Sequence, residues 1–164
     1  LTKHKNLART SKTPGRTQLI NLFELEPGKR LVDLPGYGYA QVPIEVRRAW
    51  AALIERYLKE RESLVGLVLI MDSRHPLTEL DWNMIQWFSV SGKPMHVLLT
   101  KADKLTRSAQ AATLADVRRQ LSGMGDQVTV QLFSSLKKTG VEEVEAVVAP
   151  WLAAALPGSG PAAG

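Results

Sequence analysis

Four polar clusters in this 164-residue chain each follow directly on an apolar run. Asp33 closes RLVD and is followed by Leu34, Pro35 and Gly36. Asp72 closes LVGLVLIMD, Thr100-Lys101-Ala102-Asp103 closes KPMHVLLTKAD, and Phe133-Ser134-Ser135 closes QVTVQLFSS. Each segment alone is explained by a strand that ends. Asp-x-Pro-Gly in particular is ordinary turn chemistry, because proline fixes φ and glycine supplies φ > 0. If the runs are parallel neighbours, however, all four clusters come to one sheet edge, and carboxylates, hydroxyls and a lysine gathered there make a ligand-binding crevice.

The elements that must position them alternate along the chain. QLINLFEL (18–25) and RLVDL (30–34) read as short strands joined by a Pro-Gly turn at 27–28. Residues 44–62 carry Val46, Trp50, Leu53, Ile54, Tyr57 and Leu58 at helical spacing on one face. Residues 64–72 form a continuous apolar run, as for a strand covered on both faces. A helix over 78–91 opens on a Thr-x-x-Asp capping pattern. A buried strand over 93–103, a helix over 108–123 stopped by Gly123, and a strand over 127–135 follow. A last helix over 140–156 contains Pro150, a kink signal, and PGSGPAAG (157–164) reads as a flexible tail. The alternation predicts an α/β fold, a mostly parallel sheet with helices on both faces. One domain over 1–156 is expected, with 157–164 as its tail.

The chain holds no cysteine, which leaves no disulfide framework and no thiolate metal site. No apolar run is long enough to span a membrane and no signal peptide is visible, so the expected location is cytoplasmic. Net charge is +5. Residues 1–20 contain Lys3, Lys5, Arg9, Lys12 and Arg16 and no acid. Such a segment is either a solvated basic face or a contact for a polyanion such as RNA or a triphosphate.

The ordered series Asp-x-x-Gly, then Thr-Lys-x-Asp, then Ser-Ser-Leu-Lys resembles the motif set of P-loop GTPases. The fuller wording SKTPGRTQLINLF, LVDLPGYGYA, DSRHPLTELD, LLTKADKL and FSSLKKTG is similar to the EngB (YihA/YsxC) family of bacterial ribosome-assembly GTPases. This resemblance covers roughly residues 1 to 155. It implies a three-layer αβα sandwich that binds and hydrolyses GTP with Mg²⁺ in maturation of the large ribosomal subunit, linked to normal cell division and septation. The implied partners are a guanine nucleotide and the large subunit with its RNA, not DNA. In GRTQ, Gly15, Arg16, Thr17 and Gln18 would form the first switch, with Thr17 on the metal and the γ-phosphate. Asp33 would hold the metal through water. Leu34 and Pro35 would lead to Gly36, which would offer its backbone N–H to the γ-phosphate, where only a residue without Cβ lets the chain come close. Lys101 would lay its stem along the base, between Thr100 and Ala102. Asp103 would accept from the N1–H and 2-amino groups of guanine. Phe133, Ser134 and Ser135 would close the base pocket, Ser134 shaping the turn and Ser135 offering its N–H to the guanine O6.

Two departures accompany the resemblance. Tyr37 stands where many small GTPases place a water-orienting glutamine, so no general base is assigned. The phosphate loop, Gly-x-x-x-x-Gly-Lys-Ser/Thr, is absent from the 164 residues. In the family it precedes the segment matching residues 1–17, with the first strand before it. The expectation is therefore an N-terminally truncated GTPase domain that would fold poorly and not hold GTP unless that strand and loop were restored. A non-hydrolysing ribosome- or RNA-binding module with a remnant nucleotide crevice is the alternative. His75 and His96 are expected to be structural and His4 exposed. The tryptophans at 50, 82, 87 and 151 are expected to act as packing anchors.

Overall fold

The computed structural model describes residues 20–34 and 43–153, which fall into two compact units divided after Arg61. In the first unit, strands β1 (Asn21–Glu26) and β2 (Lys29–Asp33) form an antiparallel hairpin. Gly28 turns it with φ +79°, a value that glycine adopts without a Cβ clash. Asn21 pairs with Asp33, so the acid sits on the last rung of the ladder. Helix α1 (Ile44–Glu60) follows, with exposed Lys59–Glu55 and Arg56–Glu60 pairs one turn apart along its surface.

The second unit holds the parallel sheet. Strands β3 (Leu67–Asp72), β4 (Met95–Thr100) and β5 (Val128–Leu132) lie in that order, with helix α2 (Glu79–Ser89) between the first two and α3 (Arg107–Leu121) between the last two. Helix α4 (Val141–Ala153) follows β5. The central strand is the driest. Met95, His96, Val97, Leu98 and Leu99 are all buried, because both faces of β4 are covered and both edges paired. The expected capping pattern before α2 is a full capping box. Thr78 Oγ1 accepts from Asp81 N, and the Asp81 carboxylate accepts from Thr78 N at 2.8 Å. From that start α2 buries Asp81, Met84, Ile85 and Phe88, the spacing of one helix face. Thr106 caps α3 through its hydroxyl alone, which accepts from Ala109 N, and Val117 and Leu121, one turn apart, are buried beside β5.

His96 is structural in this fold, as its place in an apolar strand suggests. Its Nδ1 lies 2.7 Å from Thr129 Oγ1 and its Nε2 2.7 Å from Gln131 Oε1. Burial pushes its pKa down, so the neutral ring that this arrangement accommodates is favoured. The Gln131 amide passes the chain on to the Gly140 carbonyl at 2.7 Å.

The sequence-derived boundaries run long at nearly every element. The run at 93–103 yields a strand of only Met95–Thr100, because at Lys101 the chain turns into a left-handed conformation and then a single 3₁₀ turn over Ala102–Lys104. The run at 127–135 ends as a strand at Leu132, where Phe133 N still bonds to Leu99 O but the following residues close a turn. The strand expected at 64–72 begins only at Leu67, and the hairpin strand expected at 18–25 is Asn21–Glu26. Pro150 lies inside α4.

Gly66, just before β3, faces the Trp151 indole of α4, and a Cβ placed there would overlap Trp151 Cε3, with Cζ3 at 2.7 Å. Gly66→Ala is therefore expected to cost about 1–3 kcal/mol by overpacking. The check is the urea midpoint of the variant, with Gly66→Ala/Trp151→Leu regaining part of the loss. An unchanged midpoint in the single variant would contradict this packing.

Candidate functional site

The parallel pairing places Asp72 directly opposite Thr100, and Leu99 opposite Leu132. The three strands therefore end level, and the chain leaves each within a residue or two of the same line. Backbone bonds carry the ladder past the strand ends: Ser73 N to Thr100 O at 2.9 Å and Ala102 N to Phe133 O at 3.1 Å. Asp72, Thr100–Asp103 and Phe133–Ser135 are thus brought together at the carboxyl edge of the sheet, where open α/β sheets bind their ligands.

Side chains then fix the Thr-Lys-Ala-Asp turn from several directions. Thr100 Oγ1 donates to Met71 O at 2.8 Å, so the threonine ties the turn to β3. Lys101 is held in the left-handed region, φ 57°, a conformation that costs a side-chain-bearing residue free energy and persists where surroundings impose it. Its Nζ lies 3.0 Å from Asp72 Oδ2. From α3, the Gln110 amide donates to Ala102 O at 2.8 Å and Leu105 O at 3.1 Å, closing the turn from behind. Ala102 is buried beneath these bonds.

Asp103 is the partly exposed group that this scaffold presents. The buried Ser134 hydroxyl donates to Asp103 Oδ1 at 2.5 Å and accepts from Lys137 N at 3.1 Å. The hydrogen bond from Ser134 leads the causes that hold the Asp103 carboxyl below its usual range, so it stays ionised and acceptor-only. Ser134 also closes its own loop, exchanging two backbone bonds with Thr139. A carboxylate oriented by a hydroxyl keeps further lone pairs on its oxygens and can receive two parallel N–H donors from a flat polar ring edge.

Asp72 was expected at this edge without a role, and its partner Arg74 is the part that sequence reasoning left out of the site. Asp72 Oδ1 accepts from Arg74 N at 3.0 Å and Arg74 Nε at 2.9 Å, and Oδ2 accepts from Arg74 Nη2 at 2.6 Å. The Arg74 fork is the main reason why the Asp72 carboxyl lies far below the usual carboxylate range. The signal was present as Asp-x-Arg immediately after an apolar run, but a two-residue spacing across a bend has no pattern that distinguishes it from a solvated turn. Ser135 is exposed beside Ser134. Of the other expected site residues, Asp33 is exposed at the end of β2 and Leu34 half-buried after it. Gly15, Arg16, Thr17, Gln18, Pro35, Gly36 and Tyr37 lie outside the described residues. Among the described residues no cluster of three or more His, Asp or Glu side chains could hold a metal.

Because folding depresses the Asp72 pKa, its contribution to stability is fully present above the ordinary carboxyl value of about 3.9 and fades as the pH falls below it. Denaturant melts at pH 5 and pH 3 should show wild type losing more stability than Asp72→Asn across that interval. Equal losses would remove the Arg74–Asp72 clamp as a source of acid sensitivity.

Comparison with known proteins agrees with this geometry. Residues 1–101 match the family described as 50S ribosome-binding GTPase. The chain is 66% identical over 164 residues to a probable GTP-binding protein EngB from Azoarcus sp. (strain BH72), covering 99% of this chain and 78% of that protein. It is 58% identical to the protein of the same name from Aeromonas salmonicida (strain A449), covering 92% and 70% respectively. The fold matches a crystal structure of a probable GTP-binding protein engB with a TM-score of 0.69 at 18% identity, over 88% of this chain and 85% of that one. It also matches Era in complex with MgGDPNP and nucleotides 1506–1542 of 16S ribosomal RNA, with a TM-score of 0.66 at 14% identity, over 92% of this chain and 50% of that one. A P-loop GTPase fold, level strand ends that present Thr-Lys-Ala-Asp beside a serine turn, and relatives matched across nearly the whole chain lead to one assignment: this chain belongs to the EngB family of GTP-binding proteins.

Proposed function

We propose that the carboxyl edge of β3, β4 and β5 reads a guanine base, and that the full-length protein is a Mg²⁺-dependent GTPase acting in assembly of the large ribosomal subunit. The observation that carries the base reading is the Ser134–Asp103 hydrogen bond of 2.5 Å. It orients one carboxylate on a turn that is already tied to β3, β5 and α3. Guanine offers an N1–H and a 2-amino group side by side, which Asp103 accepts as a pair. Adenine has an unprotonated N1 and no 2-amino group, so it leaves the same carboxylate unmatched.

For the metal, Thr17 and Asp33 are the residues assigned to hold Mg²⁺. A single exposed carboxylate at the end of β2 fits an ion that takes hard oxygen ligands and shares them with phosphates, rather than one held in a protein cage. When bound, Mg²⁺ neutralises charge on the phosphate oxygens. What the chain's own residues do is positioning. Asp103 selects the base, Lys101 lies along it, and Ser134 holds Asp103 in its acceptor orientation. The ribosomal role is supported by the description of the matched family as 50S ribosome-binding and by the basic residues Lys3, Lys5 and Arg9. Links to cell division and septation rest on the family resemblance.

Nucleotide competition on the full-length protein tests the base reading. Wild type should prefer GTP over ATP, and Asp103→Asn should lose GTP while gaining xanthosine triphosphate, whose 2-oxo group meets the new amide donor. The expected change is about 10²-fold or more, the scale of an unpaired polar group in a binding site. Equal binding of ATP and GTP by wild type would end the assignment.

The ribosomal contact is tested by salt. Binding to large-subunit particles should weaken steeply as salt rises, and replacing Lys3, Lys5 and Arg9 with alanine should flatten that slope by up to about 2–3 units in log–log terms. An unchanged slope in a pelleting assay would return the segment to a solvated basic face. RNA binding that persists without any guanine preference would favour a non-hydrolysing module instead.

A further inference from the structure

We propose that Asp72 is a positioning residue for the nucleotide: clamped by Arg74, it anchors the Lys101 ammonium so that the lysine stem is preset as the platform on which the purine rests. The proposal rests on the base reading above and extends it to the last residue of β3 and to Arg74 just beyond it.

Three independent features converge on Lys101. Its backbone sits in the left-handed region, φ 57° and ψ 29°, which swings the side chain out of the direction set by β4. Its Nζ is held 3.0 Å from Asp72 Oδ2 across the strand pair, on the rung where Asp72 faces Thr100. The anchor is itself immobilised. Arg74 spans both carboxylate oxygens with its Nε and Nη2, and its backbone N–H takes a further lone pair of Oδ1. A carboxylate gripped in this bidentate way cannot rotate to follow a wandering ammonium, so the lysine must come to it.

Stability alone does not account for the arrangement. The Lys101 side chain is 56% exposed and that of Asp72 25%, and ion pairs so wetted add little to folding. Their effect belongs to binding. A lysine has four rotatable bonds in its stem, and ordering them before the ligand arrives removes that cost from the binding step. Pairing also holds the lysine head in place beside the proposed base. Without Asp72, the ammonium would be free to seek a phosphate or the Asp103 carboxylate, taking the stem away from the ring plane. Because the carboxyl of Asp72 stays ionised well below neutrality, the anchor holds throughout the physiological pH range.

The test is the dissociation rate of a fluorescent GDP from the full-length protein, in a double-mutant cycle. Asp72→Asn keeps the side-chain shape and removes the charge that holds Lys101. Lys101→Met keeps an unbranched apolar stem and removes the ammonium. Each single change should speed release on the order of fivefold to tenfold, and the double variant should be no faster than Lys101→Met alone, the signature of two groups acting through one interaction. Arg74→Ala should give a smaller increase in the same direction, and it serves if Asp72→Asn fails to fold. A merely structural Asp72 would speed release equally in the Lys101→Met background, and that multiplicative outcome overturns the proposal. So does release from Asp72→Asn at the wild-type rate. If wild type binds GDP yet Lys101→Met releases it unchanged, the assignment of Lys101 to the base fails and the anchor falls with it. The response of Asp103→Asn to xanthine nucleotides is read separately and shows whether the wider base reading survives.

Discussion

The constraint on which the site depends is the register of one parallel sheet. Asp72 pairs with Thr100 and Leu99 with Leu132, so three strands stop on a common line. A shift of one residue in either pairing would turn alternate side chains to the opposite face and set the strand ends at different heights. Register is held by burial. From Met95 to Leu99 every residue of β4 is enclosed, and the polar exception, His96, has both ring nitrogens matched by Thr129 and Gln131 on β5. A slip would leave that imidazole unpaired in an apolar interior, a costly outcome. A buried polar chain thus specifies the alignment that an apolar strand alone would specify less strictly.

On this level edge, function is a matter of restraint. The turn after β4 is bound through Thr100 to β3, through Ala102 to β5, through Gln110 to α3 and through Asp103 to the Ser134 loop. Any one of these hydrogen bonds contributes about 1 kcal/mol net. Together they leave the turn few alternatives, which is how a left-handed lysine becomes tolerable. The electrostatics follow the same plan. Both carboxylates at the edge are kept ionised by donors from the protein, Arg74 for Asp72 and Ser134 for Asp103. Asp72 is consumed by its partners, whereas Asp103 retains acceptor capacity. The two aspartates of this edge therefore differ, Asp72 being spent on Arg74 and Lys101 while Asp103 keeps the capacity to accept from a ligand.

Much of this was legible before any coordinates. Apolar runs of five to nine residues between amphipathic segments announced parallel strands, and Thr78 with Asp81 announced the start of α2. The motif series singled out Lys101, Asp103 and Ser134, which the fold brings to one edge. What the sequence could not convey was where strands stop. LLTKAD is apolar then polar, and nothing in its pattern says that Thr100 is the last strand residue and Lys101 adopts φ 57°. That outcome is imposed by bonds from Asp72, Phe133 and Gln110, residues up to about thirty positions away. Thr100 carried no assigned role of its own in the motif. In the fold its hydroxyl makes the tie to Met71 O. Arg74 was invisible for a related reason: its importance comes from a carboxylate whose other partner, Lys101, lies in another strand's loop.

The central claim is that the Asp103 carboxylate, oriented by Ser134, meets the N1 and 2-amino edge of guanine. A crystal structure of the full-length protein with GDP measures this most directly. The account predicts both Asp103 oxygens at about 2.7–3.0 Å from guanine N1 and N2, with the Ser134 hydrogen bond retained. A base bound elsewhere on the sheet edge, or an Asp103 carboxylate turned to solvent with GDP in place, would contradict it.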